Sequence, residues 1–234
     1  MAIEISLRLK KVADFISEKT MADIGTDHGY VPIYMALNGK IEKAIACDIN
    51  KGPLEKAEKN VAANNLKNVI ETRLGSGLEP IEKGEVNSIV IAGMGGMLMI
   101  DILENKREVY QNAKELILQP QLDIDEVRKY IHKNGFKIAD EDFFIDAGKY
   151  YTVIKAVHGE ESYDNEADYI FGKINIDRKN PYLRKYTEHK MSVNEKIIEN
   201  ISRNGSDSEK IKEIENENSI CREVLNRYEN KSVY

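Results

Sequence analysis

Cysteine is scarce in this chain. Cys47 and Cys221 are its two examples in 234 residues; they lie far apart, with no CxxC pair and no histidine ligands close by. A disulfide framework is thereby excluded, and no zinc motif is present. The histidines His28, His132, His158 and His189 are scattered, so no metal is expected. No apolar run approaches the ~20 residues that cross a bilayer, and no basic-then-apolar leader is visible. The expectation is a cytoplasmic chain with no membrane role. Positive charge is also short: 34 Lys and Arg stand against 40 Asp and Glu, a net charge of −6. That disfavours a protein that grips nucleic acid through overall charge. One segment departs from the average. From Asp177 to Lys190, DRKNPYLRKYTEHK carries Arg178, Lys179, Arg184, Lys185 and Lys190 against Asp177 and Glu188, with Tyr182, Tyr186 and His189 interleaved. Such a patch can hold phosphates while its rings meet bases or sugars. It can equally be a solvated helix face with tyrosines in a helix seam, and composition alone favours that plainer reading.

The most informative stretch is MADIGTDHGY, Met21 to Tyr30, followed by AIACDI ending at Ile49. Asp23-Ile24-Gly25 reads as a strand running into a turn. Pro32 and the apolar run around it open a helix, and a second strand ends at Asp48. This is a βαβ unit with an acid at the end of its second strand, about twenty residues past the glycine turn. A dinucleotide site needs Gly-x-Gly-x-x-Gly, because a pyrophosphate must meet bare backbone. Here Asp27 stands where the second glycine would be. A carboxylate repels pyrophosphate and attracts the sulfonium and ammonium of S-adenosylmethionine. Asp23 is placed to hold that amino group, and Asp48 to accept from two ribose hydroxyls. The plainer alternative is a bend with Asp27 as helix N-cap. Asp48 and the later motifs favour the methyl-donor site.

Punctuation continues down the chain. Leu9, Val12, Phe15 and Ile16 have helical spacing. Lys51 to Asn65 reads as a helix with Pro53 in its first turn. Asn68 to Leu74 is a strand ending in Gly75-Ser76-Gly77, and Val86 to Ala92 a buried strand ending in Gly93-Met94-Gly95-Gly96. Met97 to Leu103 is a helix, Glu115 to Leu118 a strand, and Asp123 to His132 a helix. Phe136 to Ile145 and Tyr150 to Val157 are strands joined by Asp146-Ala147-Gly148-Lys149, a hairpin signal. A parallel sheet closing in an antiparallel pair is the class I methyltransferase pattern, whereas a dehydrogenase would continue in parallel. The expected division is residues 1–158 as the cofactor domain and 159–234 as a helical domain. In the second, Leu183, Tyr186, Lys190, Val193, Ile197 and Asn200 form one stripe. After Asn204-Gly205, a helix capped by Ser208 carries Ile211, Ile214, Asn218, Cys221, Leu225 and Tyr228. Two such stripes predict an antiparallel, coiled-coil-like hairpin with Asn218 fixing register. The last polar residues are expected to fray.

Together ADIGTDHGYVPIY, ACDINKGPLEKAEKNV, RLGSGLE, IAGMGGMLMIDIL, LILQPQ and GKYYTVI, in this order from Leu7 to about Phe171, resemble the bacterial TrmK family, the tRNA (adenine-N1)-methyltransferases acting on adenine 22. The resemblance implies an α/β class I Rossmann-like fold, S-adenosyl-L-methionine as cofactor and tRNA as partner. It implies Asp23, Gly25, Asp27, His28, Asp48, Asn50, Ser76, Gly77, Gly93 and Met94 at the cofactor, and Gly95 and Gly96 facing the reacting base. The chain departs from the family pattern at Ser76, where Asp is expected and a hydroxyl offers a weaker acceptor, and at Gln121, where Asn is expected.

Adenine N1 carries an in-plane lone pair, so the expected chemistry needs orientation more than a base. The nucleotide must be exposed or flipped. Asp27 is the candidate catalytic group, stabilising the purine as it gains charge, with His28 orienting it or contacting the base. A contact to the cofactor alone is the alternative for Asp27, and helix capping for His28. Arg178, Lys179, Arg184 and Lys185 are the expected tRNA-phosphate contacts. Two other classes compete: an NAD-dependent oxidoreductase, opposed by Asp27 and the terminal hairpin, and a non-catalytic interaction protein with an inert Rossmann core, which leaves the polar, glycine-rich strand ends unexplained. The oligomeric state is not encoded in any of these patterns.

Overall fold

The computed structural model describes residues 3–205 and 207–229. The chain divides into two compact units, Met1–Glu141 with Asp146–Ser162, and Asp142–Ile145 with Tyr163–Tyr234.

The first unit is built on the central sheet. Strands β1 (Thr20–Ile24), β2 (Lys43–Asp48), β3 (Ile70–Leu74), β4 (Ser88–Met94), β5 (Glu115–Pro120), β6 (Phe136–Asp146) and β7 (Lys149–His158) lie in the order β3-β2-β1-β4-β5-β7-β6. The first five are mutually parallel, and β7 runs antiparallel to β5. Helices α1 (Leu7–Phe15), α2 (Tyr30–Leu37), α3 (Lys51–Ala63), α4 (Gly96–Glu104), α5 (Arg107–Tyr110) and α6 (Ile124–Lys133) connect or flank them. Parallel strands covered on both faces need continuous apolar runs. Met21, Ala22 and Ile24, Ala44 to Ala46, Ile89 to Ile91 and Leu116 to Leu118 supply them, all buried. β6, at the sheet edge, instead begins by alternating buried Phe136 and Ile138 with exposed Lys137 and Ala139. Chain order reverses between β1 and β4, and ligands of open α/β sheets bind in the crevice outside that switch point.

The terminal hairpin turns on Ala147 (φ 47°) and Gly148 (φ 78°), the two left-handed residues of a tight two-residue connection. One edge of the unit is tied by a buried ion pair. Arg128 Nε and Nη2 donate to Glu141 Oε2 at 3.1 and 2.8 Å, with both side chains almost wholly inaccessible.

In the second unit a π-helical turn (Asp168–Gly172) leads into α7 (Lys173–Asp177), α8 (Pro181–Asn204) and α9 (Ser208–Glu229). Asn180 caps α8, its Oδ1 accepting from Tyr182 N and Leu183 N at 3.0 and 3.2 Å. Arg227 donates to Asp168 Oδ1 at 2.6 Å and Asp177 Oδ1 at 3.0 Å. Tyr228 OH donates to Asn180 O at 3.0 Å, and Asn194 Nδ2 to Asn218 Oδ1 at 3.0 Å. These pairs run in opposite directions along α8 and α9, as a hairpin requires.

Two details differ from the sequence pattern. Asp207, not Ser208, caps α9, its Oδ1 accepting from Lys210 N at 3.0 Å. On α8, Val193 and Ile197 are exposed, whereas Thr187 and Asn194 are buried. A straight helix drifts by about 20° per heptad from a strict 3.5-residue stripe, so the inward face moves off the predicted positions. The expected fraying falls on residues 230–234, outside the described ones.

Replacing Arg128 by Met should cost about 3–5 kcal/mol by taking its cation away from a buried carboxylate. Adding Glu141→Leu should recover a substantial part. Urea denaturation of the two single variants and the double variant measures this coupling.

Candidate active site

The turn after β1 is built from left-handed backbone. Gly25 (φ 71°), Asp27 (φ 53°) and Gly29 (φ 73°) all have positive φ. A Cβ at position 25 would also displace the Met94 methyl, the movable end of a flexible side chain. At Gly29 a Cβ would meet that of Ala57 on α3 at 3.4 Å. Gly29 is the residue preceding α2, which starts at Tyr30 and has no side-chain cap. The N-cap alternative for Asp27 therefore falls away, and so does that for His28. The turn is held by Thr26 N to Cys47 O at 2.8 Å and Gly29 N to Thr26 O at 3.0 Å.

Asp48 closes this loop against the next. Its Oδ2 accepts from Asp27 N at 3.2 Å and its Oδ1 from Asn50 N at 2.8 Å. A carboxylate oxygen has a second acceptor site, so two further hydrogen bonds remain available. Asp23 accepts from Thr26 Oγ1 at 2.6 Å. Burial, reinforced by the charge of Asp48 and opposed by the Thr26 bond, raises its carboxyl to about 6.

These groups surround a cavity of about 530 Å³ at the carboxyl ends of β1, β2 and β4. Of the sequence-predicted cofactor residues, Asp23, Gly25, Asp27, Asp48, Asn50, Ser76, Gly77, Gly93 and Met94 all line it. So does Gln121, whose N–H donates to Met94 O at 2.9 Å. Cys47 also lines it, but burial pushes its thiol up to about 12, which leaves it unreactive.

His28 is not among the lining residues. Its ring stacks on Tyr30 at 5.2 Å with 4° between planes, and Nε2 lies 3.5 Å from Asp27 Oδ1. Gly95 has open space beside its α-carbon, whereas a Cβ on Gly96 would come within 2.5 Å of Asp123 O. Gly96 also donates its N–H to Leu122 O at 2.9 Å. Its α-carbon is packed against backbone, where the family resemblance implied a face toward the reacting base. Arg178, Lys179, Arg184 and Lys185 belong to the second unit, where all four are exposed and Arg184 Nε donates to Glu188 Oε1 at 2.8 Å.

The sequence motifs missed Arg8, Tyr30, Ile49, Leu98 and Ile102 as lining residues. Ile49 carries a signal that was available: an apolar residue directly after the acid that ends β2, here 63% exposed. Arg8 carries none, since it reaches the cavity from α1. Among the described residues no group of His, Cys, Asp and Glu could hold a metal ion.

Comparison with known proteins follows the same lines. Residues 5–154 match the family described as a methyltransferase domain. The tRNA (adenine(22)-N(1))-methyltransferase of Bacillus subtilis is 35% identical over 233 residues, 95% of this chain and 98% of that protein. The crystal structure of the B. subtilis M1A22 tRNA methyltransferase TrmK superposes with a TM-score of 0.86 at 34% identity, covering 95% of this chain and 99% of that one. Streptococcus pneumoniae Sp1610 in complex with S-adenosyl-L-methionine gives 0.86 at 32% identity over 95% and 100% of the two chains. M. capricolum TrmK in complex with S-adenosyl-homocysteine gives 0.85 at 30% over 96% and 99%.

The raised Asp23 carboxyl yields a pH prediction. Above about pH 6 it is ionised and would attract a ligand ammonium placed beside it. As pH falls through that value it takes up a proton and the attraction is lost, while the burial cost of the free protein is relieved. Affinity for S-adenosylhomocysteine should drop about tenfold from neutral pH to about pH 5. In Asp23→Asn the affinity should be weak and flat, as calorimetry across that range will measure.

Proposed function

The chain belongs to the tRNA (adenine(22)-N(1))-methyltransferase family, and from that premise we propose how its own residues carry the reaction. It is a class I methyltransferase that moves the methyl group of S-adenosylmethionine to N1 of adenine 22 in tRNA. The observation that carries the assignment is the cavity wall: Asp23, Asp27 and Asp48 gathered around a glycine turn that is too acidic for a pyrophosphate.

The residues present fit the cofactor. Backbone is bare at Gly25 and Gly93, both at positive φ, and the three carboxylates suit a cationic, hydroxyl-bearing ligand. When bound, S-adenosylmethionine supplies a methyl group activated by a positive sulfonium. Asp48, already oriented by two backbone donors, would accept from the ribose hydroxyls. Ser76 and Gly77 would border the adenine, with the cavity-lining Ile49 and Ile102 as apolar walls. Asp23 would face the ammonium.

No residue is needed as a strong base, because adenine N1 presents a lone pair. The protein's work is orientation and water exclusion once the base has left its stack. Asp27 stands at the rim with its side chain 66% exposed. There it meets the purine as positive charge develops, and its effect grows when tRNA covers it and the local dielectric falls. His28, stacked on Tyr30 and held through its carbonyl by Asn60 Nδ2 at 2.9 Å, keeps the Asp27 carboxylate turned toward the base.

The second unit (the arm) offers phosphate contacts at Arg178, Lys179, Arg184 and Lys185, with Arg184 held by Glu188. Contacts of this kind position without reading sequence. We place the enzyme in the cytoplasm with its tRNA; no helix among the described residues is long and apolar enough to cross a membrane.

Incubation with unmodified tRNA and S-adenosylmethionine should give 1-methyladenosine at position 22 by nucleoside mass spectrometry. Asp27→Asn should lower kcat by roughly a hundredfold and change S-adenosylhomocysteine affinity little. Equal losses in both would restrict Asp27 to the cofactor, and full activity would remove it from the mechanism. The arm is tested in the full-length chain by Lys179→Glu with Lys185→Glu. This variant should raise the KM for tRNA about tenfold and flatten its salt dependence, with cofactor affinity unchanged. An unaltered KM would leave those lysines as solvated surface.

A further inference from the structure

Beyond the ends of β4 and β5 the two following loops stay paired. Gln121 donates its N–H to Met94 O, and Gly96 donates its N–H to Leu122 O, both at 2.9 Å. The approach at Gly96 is so close that a Cβ there would stand 2.6 Å from Leu122 O. Asp123 follows with φ 53°, a left-handed conformation on a residue other than glycine, and its side chain gives α6 no cap. Backbone strain of this kind gathers at functional positions. What the clamped and strained loop holds out is an apolar side chain, Leu122, 68% exposed.

Leu122 has company. Met97 and Leu98, in the first turn of α4 directly after Gly96, are 51% and 52% exposed. Single exposed leucines are ordinary on a protein surface, whereas a cluster marks a contact. This apolar ledge is continuous with the cavity, since Leu98 lines its wall and Leu122 follows the lining residue Gln121. Met97 and Leu122 themselves lie outside that lining, so a ligand inside the cavity does not account for them. The substrate does. Adenine cannot present N1 from within a paired stack and must be everted. Eversion leaves a gap between two flat, apolar base faces, and proteins that unstack nucleic acid fill such gaps with Leu, Ile, Met or Phe. A second copy of the chain is the poorer occupant. Three side chains fall far short of the roughly 20–30 residues a side that a stable protein interface uses.

We propose that Leu122 is a wedge that enters the tRNA stack as adenine 22 leaves it, with Met97 and Leu98 extending the apolar surface toward the cavity. The proposal deepens the tRNA assignment above and rests on it. The clamp matters for the wedge: on a loose loop, much of the contact energy would be lost in ordering the chain. Here the two backbone hydrogen bonds and the bare α-carbon of Gly96 have already fixed the loop.

The test uses the full-length chain and two tRNAs, one with adenine 22 paired and one whose opposite nucleotide is changed so that it cannot pair. Leu122→Ala should lower kcat/KM about tenfold on the first. It should lower it far less on the second, because an unpaired base is easier to evert. Leu122→Met should keep most of the activity, and S-adenosylhomocysteine affinity should be the same in all three proteins. A tRNA carrying 2-aminopurine at position 22 reads eversion directly. Its fluorescence should rise when saturated with wild type and rise much less with Leu122→Ala. Full activity of Leu122→Ala on the paired tRNA would overturn the proposal. So would an equal loss on both tRNAs, which would make the side chain a plain docking contact. A different sedimentation of wild type and Leu122→Ala would overturn it too, by making the ledge an interface between copies. Wild type that methylates neither tRNA would overturn the tRNA assignment first, and the wedge with it.

Discussion

Everything at the cavity depends on one carboxylate bridging two loops. Asp48 accepts from the backbone of Asp27 and of Asn50, and so fixes the turn after β1 against the turn after β2. The first of these turns would not hold its shape unaided. Three of its five residues, Gly25, Asp27 and Gly29, are left-handed, and at Asp27 that conformation has a steric cost only partly eased by a short polar side chain. The Asp48 bond offsets the cost and leaves the Asp27 side chain facing outward. One acid thereby sets the position of another.

Charge is concentrated in the same place. Asp23, Asp27 and Asp48 surround the cavity with Arg8 as their one opposing charge among the described lining residues. Asp23 is the costliest of the three, since burial lifts its carboxyl to about 6. In the free protein this arrangement opposes stability near neutral pH, because the unfolded chain would ionise the group more readily. A cationic ligand reverses the sign of the interaction. Strain of this kind belongs to binding sites, where a protein's local preferences and its function diverge.

Much of the fold was legible because its signals are local. The parallel strands are written as continuous apolar runs, their ends as glycines, and the terminal hairpin as a two-residue turn. Asp27 in a glycine's place and Asp48 at a strand end marked the site. What escaped were facts that arise only when distant segments meet. Nothing near Arg8 announces a partner 111 residues away at Gln119. A glycine demanded by a ligand looks the same in sequence as Gly96, which is demanded by the backbone of Leu122 and Asp123. On α8 the error lay in the period: a 3.5-residue stripe assigned Val193 and Ile197 inward, where a straight helix buries Thr187 and Asn194.

The strand order β5-β7-β6 has a consequence for the growing chain on the ribosome. Every strand that carries the cofactor residues has been made once β5 is complete at Pro120. The neighbour of β5 is not the next strand to emerge but the one after it, and β7 ends only at His158. At typical elongation rates that interval is on the order of 2–8 s. During it β5 presents an unpaired apolar edge, the kind that invites wrong strand partners. Slow passage of the ribosome across the β6–β7 hairpin would lengthen that exposure, so synonymous codons in this stretch bear on the yield of folded protein even though they change no residue.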